Sequence, residues 1–272
     1  MYPELKGKTA IITGAGKRAG LGAAMARRLA AEGVNLVLAD LGTGAARDEV
    51  PAELAALAAE LEGQGAAAIA VACDMLAPDQ VQALVDAAVA RFGQLDILVN
   101  NAGVGDIMKP LVELSVQEWD TVLGVNLRGV FLATQAAARH MIARGGGGRI
   151  VNIASQAAKS AFPHAAAYTS SKHGLVGLTR VAALELGPHG INVNAICPNH
   201  VTTGLGAWQN EHFSKLAGQS VDQYLASMTQ RIPLGRPGLQ EDTANACAFL
   251  CSDQSRYMTG ESMNVSGGEE YH

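Results

Sequence analysis

A tyrosine and a lysine that stand four residues apart, Tyr168 and Lys172, have the types and spacing needed for acid–base chemistry. Side chains at that separation lie on the same face of a helix. A phenol titrates near pH ~10 and is a poor base at neutral pH, but a neighbouring ammonium group lowers its pKa. The pair would then give a proton to a carbonyl or take one from an alcohol.

Ser155 lies thirteen residues before the tyrosine and directly after an apolar run at 149–153. Its hydroxyl could polarise the same substrate oxygen that the tyrosine protonates. A serine at the end of a strand also commonly caps the next turn, and Tyr-x-x-x-Lys alone is a frequent pattern. The three residues together, rather than the pair, therefore predict a carbonyl or alcohol site.

A glycine-rich segment between Thr13 and Gly22 follows the first predicted strand and begins the first predicted helix. Glycines there let a pyrophosphate approach the backbone, where N–H groups and the helix dipole hold it. The segment predicts a dinucleotide site, with cofactor contacts from Gly14, Lys17, Arg18, Gly20, Leu21 and Gly22. Which of Gly16, Lys17 and Arg18 would touch phosphate stays open.

Asp40 ends the second predicted strand, where the adenosine ribose lies in such sites. A carboxylate there accepts hydrogen bonds from both ribose hydroxyls and repels a 2′-phosphate, which favours NAD. Lys17 and Arg18 support the opposite choice, because cations in that loop can bind the 2′-phosphate of NADP. We give more weight to Asp40, since two flexible loop cations have many orientations.

An alternation of strands and helices along the whole chain predicts the fold that must position these residues. The predicted strands cover 8–13, 34–39, 67–72, 95–99, 149–153, 191–196 and 262–265, and the helices cover 20–32, 51–62, 78–93, 117–143, 166–186 and 240–251. Parallel strands joined by right-handed crossovers give an α/β, doubly wound (Rossmann) sheet with helices on both faces. We find no linker or repeat and expect one domain over 1–272, with a weakly periodic insertion at 199–233.

Composition and charge exclude several classes of protein. Twenty Lys and Arg against twenty-five Asp and Glu give a net charge of −5, which argues against a nucleic-acid partner. Cys73, Cys197, Cys247 and Cys251 form no C-x-x-C pair, so we expect buried, reduced thiols and no metal site. The N-terminus has no signal-peptide core, and no apolar run approaches the ~20 residues that span a bilayer. These features predict a cytoplasmic protein without a membrane partner.

As a set, the motifs resemble those of the short-chain dehydrogenase/reductase family over almost the whole chain. The resemblance is carried, in the family's order and spacing, by the loop from Thr13 to Gly22, Asn100-Asn101-Ala102-Gly103, Val125-Asn126-Leu127-Arg128-Gly129, Ser155, Tyr168 and Lys172. It implies a nicotinamide-dependent oxidoreductase. It also implies a homotetramer built through the helices 117–143 and 166–186 and the last strand.

The same resemblance implies a role for each motif residue. Tyr168 would be the acid/base and Lys172 would bind the nicotinamide ribose. Ser155 would position the substrate oxygen, and Asn126 would hold a water in a proton relay. The remaining implied cofactor contacts are Asp74 and the Met75 backbone at the adenine, Asn101, Ala102 and Gly103 beside the adenosine ribose, and Pro198, the Val201 backbone and Thr203 near the nicotinamide.

Two departures from the family's pattern concern this site. Five residues separate Gly14 from Gly20, whereas the family's loop usually has three between its glycines. Asn199 follows Pro198 where the family usually has glycine. Asn199 would either contact substrate or simply tolerate a left-handed backbone.

The predicted substrate pocket has a polar floor of Ser155, Gln156, Tyr168 and Asn199 under a lid at about 204–232. The amides of Gln156 and Asn199 suit hydroxyl and carbonyl groups. We therefore expect an NAD-dependent enzyme that acts on a small polar secondary alcohol or carbonyl compound of the sugar, polyol or hydroxyketone class. The tail at 269–272 is expected to be solvated, or to add polar groups to a neighbouring subunit.

Two other functions remain open at this point. An NADP-dependent 3-ketoacyl thioester reductase is one, because Ile232-Pro233-Leu234-Gly235-Arg236 and Tyr257-Met258-Thr259-Gly260-Glu261 also occur in ketoacyl-carrier-protein reductases. Asp40 disfavours it. A non-catalytic nucleotide-binding protein on the same fold is the other. The intact set of Asn126, Ser155, Tyr168 and Lys172 disfavours that one.

Overall fold

The computed structural model describes residues 1–202 and 204–271. Its strands are β1 (Thr9–Thr13), β2 (Asn35–Asp40), β3 (Ala68–Ala72), β4 (Ile97–Asn100), β5 (Gly148–Ile153), β6 (Ile191–Pro198) and β7 (Ser262–Val265). Within the described residues they form one seven-stranded parallel sheet in the order β3-β2-β1-β4-β5-β6-β7. The predicted single-domain, doubly wound α/β fold is confirmed.

Helices cover both faces of the sheet. They are α1 (Leu21–Ala30), α2 (Ala52–Gly63), α3 (Pro78–Phe92), α4 (Val116–Leu123), α5 (Val130–Arg144), α6 (Ala166–Leu186), α7 (Leu205–Leu216), α8 (Val221–Arg231) and α9 (Gln240–Cys251). Side chains alternate between the two faces along each strand. Ile12 therefore packs with α1, α2 and α9, whereas the preceding Ile11 packs with α3, α5 and α6. Burial on both faces explains why the strands are continuous apolar runs.

The predicted helix at 117–143 is interrupted, which corrects the sequence analysis. Helix α4 is followed by a π-helical turn at Gly124–Gly129 before α5 begins. Asn126 lies in this turn and is fully buried. Its side-chain oxygen accepts from the Val104 N–H at 2.8 Å, and its amide donates to the Val104 carbonyl at 2.8 Å. These long-range hydrogen bonds form where the regular α-helix is interrupted. Such π-helical turns are frequent at functional sites.

The predicted insertion at 199–233 contains the two helices α7 and α8. Helix α8 begins with a capping box, in which Ser220 and Gln223 satisfy each other's backbone N–H groups. Ser-x-x-Gln before a helix is a sequence signature that the prediction did not use. The weak periodicity at 199–233 therefore concealed two helices. The other predicted elements agree with the structure to within about two residues at most ends.

The four cysteines are buried and free of disulfides, as predicted. Cys247 and Cys251 both lie on α9, where they pack against the sheet. Across the described residues, no helix combines the length and apolarity needed to cross a membrane.

Candidate active site

The carboxyl ends of the strands surround a cavity of about 660 Å³. It begins beneath the glycine loop after β1, passes the ends of β2 and β4, and continues beyond β5 and β6 to α7 and α8. In open parallel sheets, ligands bind at this edge, where the strand order reverses. That reversal lies between β1 and β4 in this chain.

Most of the predicted site residues line this one cavity. They are Gly14, Lys17, Gly20, Leu21, Asp40, Asp74, Met75, Asn101, Ala102, Gly103, Ser155, Gln156, Tyr168, Lys172, Pro198, Asn199 and Val201. Asn126 is fully buried, and Gly22 is buried at the start of α1. Thr203 lies outside the described residues.

The proposed acid–base residues meet where β5 ends and α6 begins. Ser155 follows β5 and Tyr168 lies on the first turn of α6, and both side chains line the cavity. Ser155 Oγ also accepts from the Ala157 N–H at 3.1 Å, which holds the serine in place. One turn along α6, Lys172 Nζ donates to the Ile153 carbonyl at 2.8 Å and lies 5.7 Å from the tyrosine ring centroid. The structure thus brings the three predicted residues together.

Burial dominates the electrostatics of this group. It raises the pKa of Tyr168, although the hydrogen bond from Ser155 acts in the opposite direction. It also lowers the pKa of Lys172 to about 8, because an ammonium group loses its hydration there. The sequence analysis predicted that the neighbouring lysine charge lowers the tyrosine pKa. In the structure the loss of solvation outweighs that effect.

Asn126 is tied to the catalytic helix as well as to the loop after β4. Its amide donates to Ser171 Oγ at 3.1 Å, and that hydroxyl donates to the Tyr168 carbonyl at 2.7 Å. Both amide hydrogens are therefore used, the other by Val104. A water at this residue would have to meet its side-chain oxygen or its backbone. The relay role stays a prediction.

The glycine loop leaves no room for a side chain at Gly14 or Gly22. Gly14 has a φ of +68°, and a Cβ added there would lie 2.6 Å from the Ala102 Cα. A Cβ on Gly22 would lie 2.5 Å from the Gly14 carbonyl oxygen. The Asn101 side chain donates to the carbonyls of Thr13 and Gly14 at 2.9 and 2.8 Å, which fastens the loop to the end of β4. Such a cradle at a helix start fits a pyrophosphate.

Asp40 is fixed at the cavity wall by the loop itself. Its Oδ2 accepts from the Gly16 N–H at 2.6 Å, and its Oδ1 accepts from the Leu41 N–H at 2.7 Å. Of the three loop residues left open by the sequence, Gly16 therefore has its N–H engaged and Lys17 lines the cavity.

Arg18, a predicted cofactor contact, lies outside this cavity. Its guanidinium lies 3.0 Å from Glu60 on α2, which also binds Arg27 at 2.7 Å. It lines a separate groove between α1 and α9. Its one hydrogen bond to Glu60 directs the arginine away from the cavity, and its role at the cofactor stays a prediction.

Arg47 is a cavity residue that the sequence analysis missed. It lies in the connection from β2 to α2, where its φ is 54°, and its guanidinium lies 2.9 Å from Asp74. Asp74 also accepts from the Leu76 N–H at 2.9 Å. A lone arginine in a loop has no spacing that predicts a site. The structure nevertheless places it at the predicted adenine end of the cavity.

The chain's own C-terminal tail forms part of the opposite end, which corrects the expectation that it is solvated. Gln156 donates to Glu270 at 2.8 Å, and Asn199 donates to Glu269 at 2.7 Å. The Glu269 side chain is only 14% exposed and also binds Arg231 of α8 at 3.0 Å. These three donors hold the two carboxylates against the cavity wall.

The left-handed backbone predicted for Asn199 falls one residue later, on His200, with a φ of 45°. His200 lines the cavity, and its Nε2 lies 2.8 Å from Glu269. Asn199 itself does not have a positive φ. Of its two predicted roles, contact with the substrate therefore stays as a prediction.

Apolar side chains complete this end of the cavity. Met108, Phe162 and Phe213 line it, with the two phenylalanine rings 6.0 Å apart. Gln209 of α7 donates to the Gly105 carbonyl at 3.3 Å and so joins this helix to the loop after β4. The wall is therefore mixed, with amides on one side and apolar groups on the other.

Comparison with known proteins yields one family model, described as enoyl-(acyl carrier protein) reductase, which matches residues 14–270. A 3beta-hydroxysteroid dehydrogenase of Eggerthella lenta is 41% identical over 268 residues, covering 98% of this chain and 95% of the relative. D-threitol dehydrogenase of Mycolicibacterium smegmatis is 40% identical over 267 residues, covering 97% and 94%.

Solved structures with either NAD⁺ or NADPH are also similar to this chain. NAD⁺-bound xylitol dehydrogenase has a TM-score of 0.89 and 34% identity, with 97% of this chain and 100% of that one covered. A variant of actinorhodin polyketide ketoreductase with NADPH has a TM-score of 0.88 and 36% identity, with both chains covered to 100%. The fold and architecture are therefore common to dehydrogenases and ketoreductases.

Proposed function

We propose, from the premise that the chain belongs to the short-chain dehydrogenase/reductase family, that it is an NAD-dependent dehydrogenase of small polyhydroxylated alcohols. Family membership makes it an oxidoreductase that acts on CH–OH groups. The observation that carries the finer proposal is the grouping of Ser155, Tyr168 and Lys172 on one cavity, whose wall also contains the amides of Gln156 and Asn199.

The nicotinamide, when bound, supplies the hydride acceptor or donor for the substrate carbon. The chain's own residues handle the proton and the orientation. Ser155 holds the substrate oxygen, and Tyr168 takes its proton during oxidation or returns it during reduction. Lys172 holds the nicotinamide ribose and keeps positive charge beside the phenol. Because these groups are buried, water is excluded from the reacting atoms.

The preference for NAD rests on charge at the adenosine end. The Asp40 carboxylate is fixed at the end of β2, where it can accept from ribose hydroxyls. Arg18 lies outside the cavity and is paired with Glu60, and Arg47 is paired with Asp74. A 2′-phosphate would therefore meet the carboxylates of Asp40 and Asp74, with Lys17 as the cation of the glycine loop that lines the cavity. This charge balance supports NAD over NADP.

The substrate class follows from the polar side of the cavity. Gln156 and Asn199 are both buried, so a ligand that left them unpaired would cost on the order of 1–3 kcal/mol for each amide. A polyol can pair with them, whereas an acyl chain cannot. The similarity to D-threitol and xylitol dehydrogenases agrees with this proposal.

A thioester reductase remains the second candidate because a neighbour of the same fold is a polyketide ketoreductase with NADPH. The apolar wall of Met108, Phe162 and Phe213 is the feature of this cavity that would suit a less polar substrate. A non-catalytic role has no comparable support.

Assembly and closure are part of the same proposal. We infer a homotetramer, because Phe131 on α5 and Val181 and Leu184 on α6 leave apolar groups exposed on the faces the family uses. Leu184 is 79% exposed, which is unfavourable unless a second copy covers it. Helices α7 and α8, within 204–232, are proposed to act as the lid.

A substrate screen tests the main proposal. Tetritols, pentitols, sugars and an acetoacetyl thioester are compared at matched concentration with NAD and NADP, by the absorbance of the reduced cofactor. The proposal expects the highest kcat/KM for a polyol with NAD. Faster turnover of the thioester, or of any substrate with NADP, would contradict it. Tyr168→Phe serves as the inactive control that excludes a contaminating enzyme.

A further inference from the structure

We propose that Glu269 and Glu270 are specificity-determining positioning residues, which fix Gln156, Asn199 and His200 as hydrogen-bond acceptors toward the substrate. The inference rests on the proposed function, because it specifies which alcohols the same cavity takes. A substrate that carries a further hydroxyl near the reacting one would be favoured, since that hydroxyl donates to the wall.

The contacts run from one acidic pair to three cavity residues. Gln156 Nε2 donates to Glu270 Oε1 at 2.8 Å, and Asn199 Nδ2 donates to Glu269 Oε2 at 2.7 Å. His200 Nε2 lies 2.8 Å from the same Glu269 oxygen. All three of these residues line the cavity, whereas the two glutamates lie behind them. The tail therefore forms the supporting layer of the wall.

A carboxylate determines the orientation of each neighbour, because an ionised carboxylate accepts and cannot donate. An amide that faces it must present its NH₂ group, since the flipped amide would set oxygen against oxygen. The side-chain oxygens of Gln156 and Asn199 are then the atoms that remain for a ligand. Without the tail, either amide could present a donor or an acceptor. The acidic pair removes that choice.

His200 follows the same rule. Burial lowers the pKa of this histidine, although Glu269 opposes the shift, so the ring is neutral near pH 7. A neutral ring that gives its Nε2 hydrogen to Glu269 has an acceptor at Nδ1. Arg231 also faces this group and balances part of the Glu269 charge. The histidine thus adds a third acceptor to the two amide oxygens.

The position of the tail does not depend on the carboxylates alone. The Glu270 N–H and the Gly268 N–H both donate to Ser266 Oγ at 3.3 Å. The Leu234 N–H donates to the Gly267 carbonyl at 3.1 Å. Because these backbone bonds hold the turn, exchanging a carboxylate for an amide changes the hydrogen-bond polarity without releasing the tail.

Charge reinforces the selection. Two carboxylates directly behind the wall make the cavity unfavourable for hydroxy acids and for sugar phosphates. Neutral vicinal diols and longer polyols meet no such penalty, and each can donate a hydroxyl hydrogen to the fixed oxygens. The substrate class is therefore neutral and rich in hydroxyl donors next to the reacting carbon.

The test compares a vicinal butanediol with its monomethyl ether, which keeps the reacting alcohol and loses the second donor. The measured quantity is the ratio of their kcat/KM values. If the enzyme oxidises the ether too slowly to measure, the diol and the ether are instead tested as inhibitors of the oxidation of another polyol. The ratio of their inhibition constants is then the measured quantity. The wild type is expected to favour the diol by about 5- to 30-fold, the value of one hydrogen bond to a fixed acceptor.

Glu270→Gln and Glu269→Gln are expected to reduce that preference to within about twofold, because the amides can then flip. The loss should come mainly from a higher KM for the diol. Gln156→Leu should abolish the Glu270→Gln effect, since both variants act on one contact. Glu62→Gln, an exposed residue of α2, is the matched control for charge removal.

The outcomes separate this inference from the proposed function. If the wild type oxidises polyols with NAD but both glutamine variants change diol and ether alike, the tail is merely structural and the inference is overturned. If the wild type oxidises no polyol, the proposed function fails and the inference falls with it. Thermal unfolding and NAD binding of each variant identify any that misfold, and Gln156→Leu then tests the wall without altering the tail.

Discussion

Replacing Asp40 by alanine is expected to lower the ratio of kcat/KM with NAD to kcat/KM with NADP by at least about 10- to 150-fold. In the structure this carboxylate ends β2 and faces the cavity, with one oxygen bound to the Gly16 N–H at 2.6 Å and the other to the Leu41 N–H at 2.7 Å. It therefore both shapes the glycine loop and presents negative charge at the proposed ribose position.

The magnitude follows from hydrogen bonds to a charged group. Each such bond contributes about 1.5–3 kcal/mol, and a tenfold change in an equilibrium constant corresponds to about 1.4 kcal/mol. Loss of one bond to ribose lowers kcat/KM with NAD by about 10- to 150-fold. The variant also lacks the repulsion toward a 2′-phosphate, so kcat/KM with NADP rises. Both changes lower the ratio of kcat/KM with NAD to kcat/KM with NADP.

The assay measures kcat/KM for both cofactors with one saturating polyol substrate. Arg18→Ala is the comparison, and its effect on the ratio should be smaller, because Glu60 already binds this arginine at 3.0 Å. Asp40→Asn separates charge from shape, since it keeps the side-chain volume. A wild type that prefers NADP, or an Arg18→Ala effect larger than that of Asp40→Ala, would refute the reasoning.

Further expectations concern catalysis, pH, packing and assembly. Tyr168→Phe should lower kcat by at least about 10²- to 10⁴-fold with NAD binding preserved, as measured by turnover and cofactor titration. Because burial raises the pKa of Tyr168, oxidation, which needs the phenolate, should accelerate with rising pH. Reduction should slow above about pH 8 because Lys172, with a pKa of about 8, loses its proton there while Tyr168 stays protonated. Gly22→Ala should cost about 1–3 kcal/mol in thermal unfolding, since its Cβ would meet loop backbone at 2.5 Å, whereas Gly63→Ala, with open space around it, should be nearly neutral. Light scattering should return four times the 28.1 kDa chain mass, and Leu184→Asp should reduce it; a monomer in the wild type would contradict the proposed assembly.

The fold and the acid–base group were predictable because their determinants are local. Strands buried on both faces are short apolar runs, and each is separated from the next by a helical segment, so order and type follow from the sequence. Tyr168 and Lys172 depend only on helical spacing, and Ser155 on the end of the strand before it. These residues meet in the structure as expected.

Features that depend on distant partners were not predictable in the same way. The π-helical turn at Gly124–Gly129 interrupts a continuous helical pattern because Asn126 exchanges hydrogen bonds with Val104, 22 residues away. Arg18 is directed away from the cavity by Glu60, which is 42 residues away. A charge in a glycine loop has no local feature that identifies its partner. Such side chains can be assigned only after the chain is folded.

The C-terminal tail shows the same limit at the substrate end of the cavity. Chain ends are usually solvated, and two adjacent glutamates have no periodicity that would suggest burial. Their partners, Gln156 and Asn199, lie 114 and 70 residues earlier in the sequence. Sequence motifs therefore locate the reacting atoms, which the whole family shares. The side chains that we propose to select a substrate come from a loop after β5, a strand end and the tail, and only folding brings them together.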